Sequence, residues 1–215
     1  MFERITRREE FDLFAAWIAI SIAFTFIFIA PGGIISGSGV DPIRALLLFG
    51  ISLVTVGIGF ILHEMAHKFT AIRYGFWAEF RKNNMMLLIA VLLAAFVGVV
   101  FAAPGATVIY TNPAEGRNIS REQNGIISVA GPLVNLVLCI PFAGLYFAGG
   151  SFVHAAPLLT TVGLIGIQVN AMIATFNMLP VSVLDGKKVA QWNIGVFLVL
   201  FIVAIATLYA SYVYL

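Results

Sequence analysis

Apolar residues fall in long, nearly uninterrupted runs along this chain, and polar positions gather in short stretches between them. The runs cover residues 13–30, 44–74, 85–103, 125–147, 158–180 and 194–214. Each is about long enough to cross a hydrocarbon core of roughly 30 Å as a helix rising 1.5 Å per residue. Punctuation between them is of the expected kind. Pro31-Gly32-Gly33 stops the first run, Asp41-Pro42 opens the second with an N-cap and a first-turn proline, and Gly75 supplies its C-cap. Thr107 to Tyr110, following Pro104-Gly105-Ala106, reads instead as a short strand, and Asn112-Pro113 as a turn. The pattern predicts an all-α polytopic membrane protein of about five to six membrane segments, with a small β element near 104–111.

Composition agrees. Of the 215 residues, 61% are hydrophobic and only 10% charged, and the mean hydropathy is +1.02. A soluble domain carries about 25% charged residues, so the bulk of this chain belongs in a bilayer. No stretch is polar enough for a separate soluble domain, and 1–215 reads as one integral-membrane domain with a core at 44–190 and flanking helices at 13–30 and 194–214. The first run has no small-residue cleavage site after it and reads as an anchor rather than a signal peptide. Cys139 is the single cysteine, which excludes an internal disulfide. A formal charge of +2 speaks for neither a nucleic-acid nor an acidic partner. The lipid bilayer is the partner that composition implies, and the oligomeric state is left open.

One apolar run contains chemistry. His63-Glu64-Met65-Ala66-His67 reads HExxH, and four residues of helix turn about 400°, which stacks the two imidazoles on one face. That spacing suits two ligands to one Zn2+ ion, with Glu64 placed to take a proton from water. Ionisable groups inside a span are costly and mark functional sites. Lys68 and Arg73 must emerge at the inner interface, and counting back from them puts His63 on the order of 8–15 Å below it.

Catalytic zinc commonly has three protein ligands. Asp185 is the only carboxylate after residue 122, and His154, the remaining histidine, lies in a loop at the wrong end of its neighbouring helices. Asp185 is therefore the candidate third ligand, its bland reading being an N-cap or a partner of Lys187 or Lys188. His63 and Asp185 reach one depth only if an odd number of crossings separates their spans. If 85–103 dips in and returns, eleven of the twelve Lys and Arg residues lie inside and only Arg44 outside; if it crosses, Arg117, Arg121, Lys187 and Lys188 move outside. The positive-inside rule favours the first arrangement, with the N-terminus and its Arg4, Arg7 and Arg8 cytoplasmic. The expectation is five full crossings and one re-entrant or partly inserted element at 85–110. A strand at 107–110 near the metal can then pair with an extended substrate.

Together HEMAH at 63–67, AGPLVN at 130–135 and NMLPVSVLDG at 177–186 resemble the site-2 protease family of intramembrane zinc metalloproteases, whose signatures are HExxH, GPxxN and NxxPxxxLDG in that order. The resemblance covers about 44–190. It implies that His63, His67 and Asp185 hold the zinc and that Glu64 is the general base. It also implies active-site support from Asn177, Asn135, Gly131, Pro132 and Pro180, although Gly131, Pro132 and Asn135 equally suit close helix contact. Lys187 stands where many relatives have a second glycine, and no PDZ-like or CBS-like segment is recognisable. The implied reaction is hydrolysis of peptide bonds in transmembrane protein substrates, as in regulated intramembrane proteolysis. The implied setting is the plasma membrane of a prokaryote, with the active site toward the cytoplasmic half. A membrane metal transporter using the same His/His/Asp cluster is the competing class, but it has no need of a base between two ligands. A catalytically silent scaffold is a further alternative, and an intact Glu64 argues against it. A topology reporter fused near Arg117 is expected to read out on the same side as the N-terminus; an external signal would put 85–103 across the membrane.

Overall fold

The computed structural model describes residues 5–34, 41–99, 105–111, 118–151, 157–181 and 183–215. Its elements are α1 (Arg7–Ile29), α2 (Pro42–Arg73), β1 (Trp77–Lys82), α3 (Asn84–Val97), β2 (Gly105–Tyr110), α4 (Arg121–Ser151), α5 (Pro157–Asn177), α6 (Asp185–Trp192) and α7 (Ile194–Val213). Five of the helices, α1, α2, α4, α5 and α7, are long and apolar enough to cross a membrane. Their outward positions carry exposed Leu, Ile, Val and Phe side chains, while Ala16, Ala23, Phe24, Val56, Val169, Ala171 and Ala174 are fully buried between them. Burying small residues lets the backbones approach closely where lipid offers no hydrophobic drive for association. At Gly163 of α5, a Cβ would run into the backbone of Phe142 and Tyr146 on α4.

Within the run 85–103, α3 spans Asn84–Val97, about 21 Å at 1.5 Å per residue. Gly98 caps it in the left-handed conformation at φ 73°, and a Cβ there would lie 2.8 Å from the Cα of Gly32, at the far end of α1. The chain then comes back, because Gly105 of β2 pairs with Lys82 of β1. Leaving from one end of a strand pair and returning to its neighbour is a re-entrant excursion and not a crossing. The position of α4 agrees: Ile127, near its start, contacts His67, near the end of α2. Helices α2 and α4 therefore meet at the same end of the bundle, as the odd-crossing argument requires.

Three details go beyond the sequence reading. Residues 77–82 form strand β1, antiparallel to β2 with Phe80 opposite Thr107. Helix α1 begins at Arg7, within the charged N-terminal stretch, capped by Thr6, whose side chain accepts from the backbone N–H of Glu9. Asp185 lies past the preceding span, which ends at Asn177, and opens the separate short helix α6. His154 lies outside the described residues.

Charged residues at the head of α1 explain the strand. Glu9 and Lys68 form an ion pair with both side chains fully buried, and the other Glu9 oxygen accepts the backbone N–H of Phe80 at 3.0 Å. Arg81 faces Asp12 at 3.6 Å and pairs with Glu79. The carboxylates of α1 thus cover the outer edge of β1, which would otherwise expose unpaired backbone groups at membrane depth. Removing one partner of a buried pair strands the other's charge. Lys68→Met is therefore expected to destabilise the protein by about 3–5 kcal/mol. The double variant Glu9→Gln/Lys68→Met is expected to recover much of that loss, because Gln still accepts from Phe80. Thermal unfolding in detergent measures both.

Candidate metal centre

His63, Glu64 and His67 lie in the C-terminal half of α2, and all three are buried. The i, i+4 spacing brings His63 Nε2 and His67 Nε2 to 3.0 Å. Asp185 Oδ2, at the start of α6, is 3.6 Å from the first and 3.0 Å from the second. One ligand atom from each residue lies within 4.8 Å of the others. Two nitrogens on a tetrahedral zinc with bonds of about 2.05 Å sit about 3.3 Å apart, so the spacing is that of ligands to one ion.

Hydrogen bonding decides which nitrogens face the cluster. His67 Nδ1 lies 2.7 Å from the backbone carbonyl oxygen of Ile127, and His63 Nδ1 lies 2.5 Å from Asn135 Oδ1. Oxygen acceptors at both Nδ1 atoms put the protons there, which leaves both Nε2 lone pairs pointing at each other and at Asp185. Three converging bases repel until a cation joins them, and the donor set of two imidazoles and one carboxylate fits zinc. Lys188 Nζ is 3.5 Å from Asp185 Oδ1, so the lysine contact weighed from sequence is present alongside the histidine contacts.

Glycines make room. A Cβ on Gly131 of α4 would lie against Nε2 of both His63 and His67, so at this position the helix can come this close only as glycine. Pro132 beside it lacks the N–H that would bond the Ser128 carbonyl one turn back in α4. A Cβ on Gly186 would strike the carbonyl of Met178, so this glycine lets α6 fold back on the end of α5 and deliver Asp185.

Glu64 stands beside the cluster and outside the ligand set. Its Oε2 accepts from the hydroxyl of Thr107 on β2 at 2.8 Å. A cavity of about 60 Å³ lies over the site, lined by His63, Glu64, His67, Thr107, Asn177 and Asp185 among others; that is room for an ion and a few waters. Asn177 reaches it while its Nδ2 donates to Ile173 O at 3.0 Å. Pro180 is exposed on the turn after α5, outside this lining. Asn135 and Gly131 therefore touch the histidines directly, Asn177 borders the space above them, and Pro180 does neither. Sequence reading passed over Asn170 and Thr107. Asn170 had a signal, a lone amide in an apolar span; Thr107 had none.

Fold and site together define a polytopic helical membrane protein built around an HExxH metal cluster. Residues 51–160 match the model of peptidase family M50. The chain is 37% identical over 192 residues to the putative zinc metalloprotease MJ0611 of Methanocaldococcus jannaschii, covering 88% of this chain and 87% of that one. It is 30% identical over 173 residues to the putative zinc metalloprotease Rip2 of Mycolicibacterium smegmatis, covering 73% and 63%. It is 25% identical over 155 residues to the putative zinc metalloprotease YwhC of Bacillus subtilis, covering 68% and 70%. No solved structure matches at the same stringency. The chain belongs to peptidase family M50, the site-2 protease family.

A methyl group at residue 131 would displace both imidazoles. Gly131→Ala is expected to remain folded but to bind a divalent transition ion more weakly, by at least the roughly 10-fold that loss of an outer partner costs. Metal content after dialysis at graded free-metal concentrations measures it.

Proposed function

We propose that this protein is a zinc metalloprotease that hydrolyses peptide bonds of membrane-embedded substrate proteins, with His63, His67 and Asp185 holding one zinc ion and Glu64 as general base. The observation that carries the reading is the convergence of three buried ligand atoms within 4.8 Å, with a free-standing carboxylate next to them on the same helix. Zinc bound there supplies Lewis acidity, polarising the scissile carbonyl and lowering the pKa of water. Glu64 takes a proton from the attacking water as its oxygen bonds to the carbonyl carbon, and returns that proton to the leaving amine as the C–N bond breaks. Thr107 donates to one Glu64 oxygen and so holds the carboxylate in place during both transfers.

A helical amide is shielded by its own hydrogen bond, so the substrate has to be extended at the scissile bond. The 60 Å³ space is too small for a peptide, but a larger apolar cavity of about 560 Å³ adjoins it, sharing Gly105, Ala106, Val183 and Leu184. Strand β2 lies between the two, with β1 on its other edge, and strand addition along its open edge would lay a substrate over Glu64. With the N-terminus cytoplasmic, the site opens toward the cytoplasmic half of a prokaryotic plasma membrane. A metal transporter built on the same cluster would leave Glu64 without a task.

Glu64→Gln keeps the shape and the ligands but removes the base. It is expected to retain zinc at the wild-type stoichiometry while cleavage of a model transmembrane substrate falls by about 10²–10⁴-fold or more. Metal content and cleavage are measured on the same preparation, and undiminished proteolysis would rule out the assignment.

A further inference from the structure

His63 can hold a metal at Nε2 only if its proton sits on Nδ1, and the group facing Nδ1 is a side-chain amide that has two orientations. His67 has no such freedom: its partner, the Ile127 carbonyl, only accepts. What orients Asn135 is a line of buried polar groups crossing three helices. Asn170 Nδ2 donates to the Gly166 carbonyl at 2.9 Å. Asn170 Oδ1 accepts from Asn135 Nδ2 at 2.8 Å, and the same Nδ2 donates to the Gly59 carbonyl at 3.1 Å. Asn135 Oδ1 is then left to face His63 Nδ1 at 2.5 Å.

Both ends of this line are backbone carbonyls, which accept and never donate. Turning Asn170 over would set its oxygen against Gly166 O, and turning Asn135 over would set its oxygen against Gly59 O and Asn170 Oδ1 together. Only one orientation of both amides pairs every donor with an acceptor, and in that orientation His63 Nδ1 must carry the proton. Asn135 and Asn170 are fully buried, so an unpaired amide there has no water to fall back on. Gly59 leaves the space this needs, since a Cβ at that position would lie 2.8 Å from Asn170 Oδ1.

We propose that Asn170 is a positioning residue that, through Asn135, fixes the tautomer of His63 and readies it to bind a divalent transition-metal ion. The inference rests on the reading of His63 as a ligand. Three variants of the full chain in detergent test it, with Zn2+ affinity from chelator competition and the visible absorption of the Co2+-loaded protein as readouts. Asn170→Leu keeps the branched shape, with somewhat greater bulk, but removes the acceptor. It is expected to weaken metal binding by about 10–100-fold, as for other partners of metal-bound histidines, and to alter the Co2+ spectrum. Asn170→Asp, neutral in this fully buried setting, has a hydroxyl to donate to the Gly166 carbonyl and an acceptor toward Asn135, and is expected to recover most of the affinity and the wild-type spectrum. Wild-type affinity and spectrum in Asn170→Leu, or an equal loss in both variants, would overturn the proposal, since packing alone would then account for the residue. If Asn170→Leu does not fold, Gly59→Ala carries the test by pushing Asn170 off Asn135; the same loss is expected, and unchanged binding overturns the proposal. His63→Ala separates the two readings. If wild type takes up no stoichiometric metal, or His63→Ala binds as wild type does, the ligand assignment fails and not merely the inference.

Discussion

Two imidazole lone pairs and a carboxylate held within 4.8 Å of one another repel until a cation sits between them, and no one helix can force that arrangement alone. The rest of the bundle supplies the restraint. Helix α2 contributes two donors at i, i+4, which the helical period stacks without further cost. The third donor arrives on α6, and its position depends on Gly186 lying flat against the Met178 carbonyl. Helix α4 contributes no donor of its own; it closes the site from the other side, with Gly131 against both Nε2 atoms and acceptors for both Nδ1 atoms. A site divided among three elements is as precise as their packing, which is why the glycines at the contacts matter as much as the histidines.

The same requirement explains where the chain tolerates polar groups in its interior. Two of the buried polar clusters described above are closed on themselves. The Asn170–Asn135 line ends on two backbone carbonyls. Glu9 spends one oxygen on Lys68 and the other on the Phe80 N–H. In a medium without water, an unfinished network costs several kcal/mol per unpaired group, so these networks constrain the helices about as firmly as apolar packing does. They also connect the parts: Lys68 directly follows His67, and through Glu9 it joins α2 to β1.

What was legible in the sequence follows from how local each feature is. The HExxH pair is a property of one helical turn, so spacing alone placed the two imidazoles together. Asp185 emerged by elimination and by the parity of crossings, arguments that use the scarcity of charge rather than local shape. Strand β1 was not legible, because Glu79, Arg81 and Lys82 read as a solvated patch; their burial is conferred by carboxylates on α1, some seventy residues earlier. The charged start of α1 misled for the same reason, since Glu9 and Asp12 have partners that lie far along the chain. Asn170 is legible as an oddity but not as a partner of Asn135, because nothing in the spacing says that α4 and α5 face each other there.

The unequal anchoring of the site's walls bears on how a substrate can reach it. The small space over the cluster is bounded by β2 on one side and by Val183 and Leu184, in the link into α6, on the other, and both also line the larger apolar cavity. Moving the link would drag Asp185, the next residue, off the histidines, and Gly186 is seated against Met178 within the same turn. Strand β2 contributes no ligand, and the side-chain bond that ties it to the metal-bearing helix is that of the Thr107 hydroxyl with Glu64. A hydrogen bond to a charged group is worth about 1.5–3 kcal/mol, far less than breaking a ligand set. Of the two walls, β2 is the one whose displacement would leave His63, His67 and Asp185 in place, at the further cost of its pairing with β1.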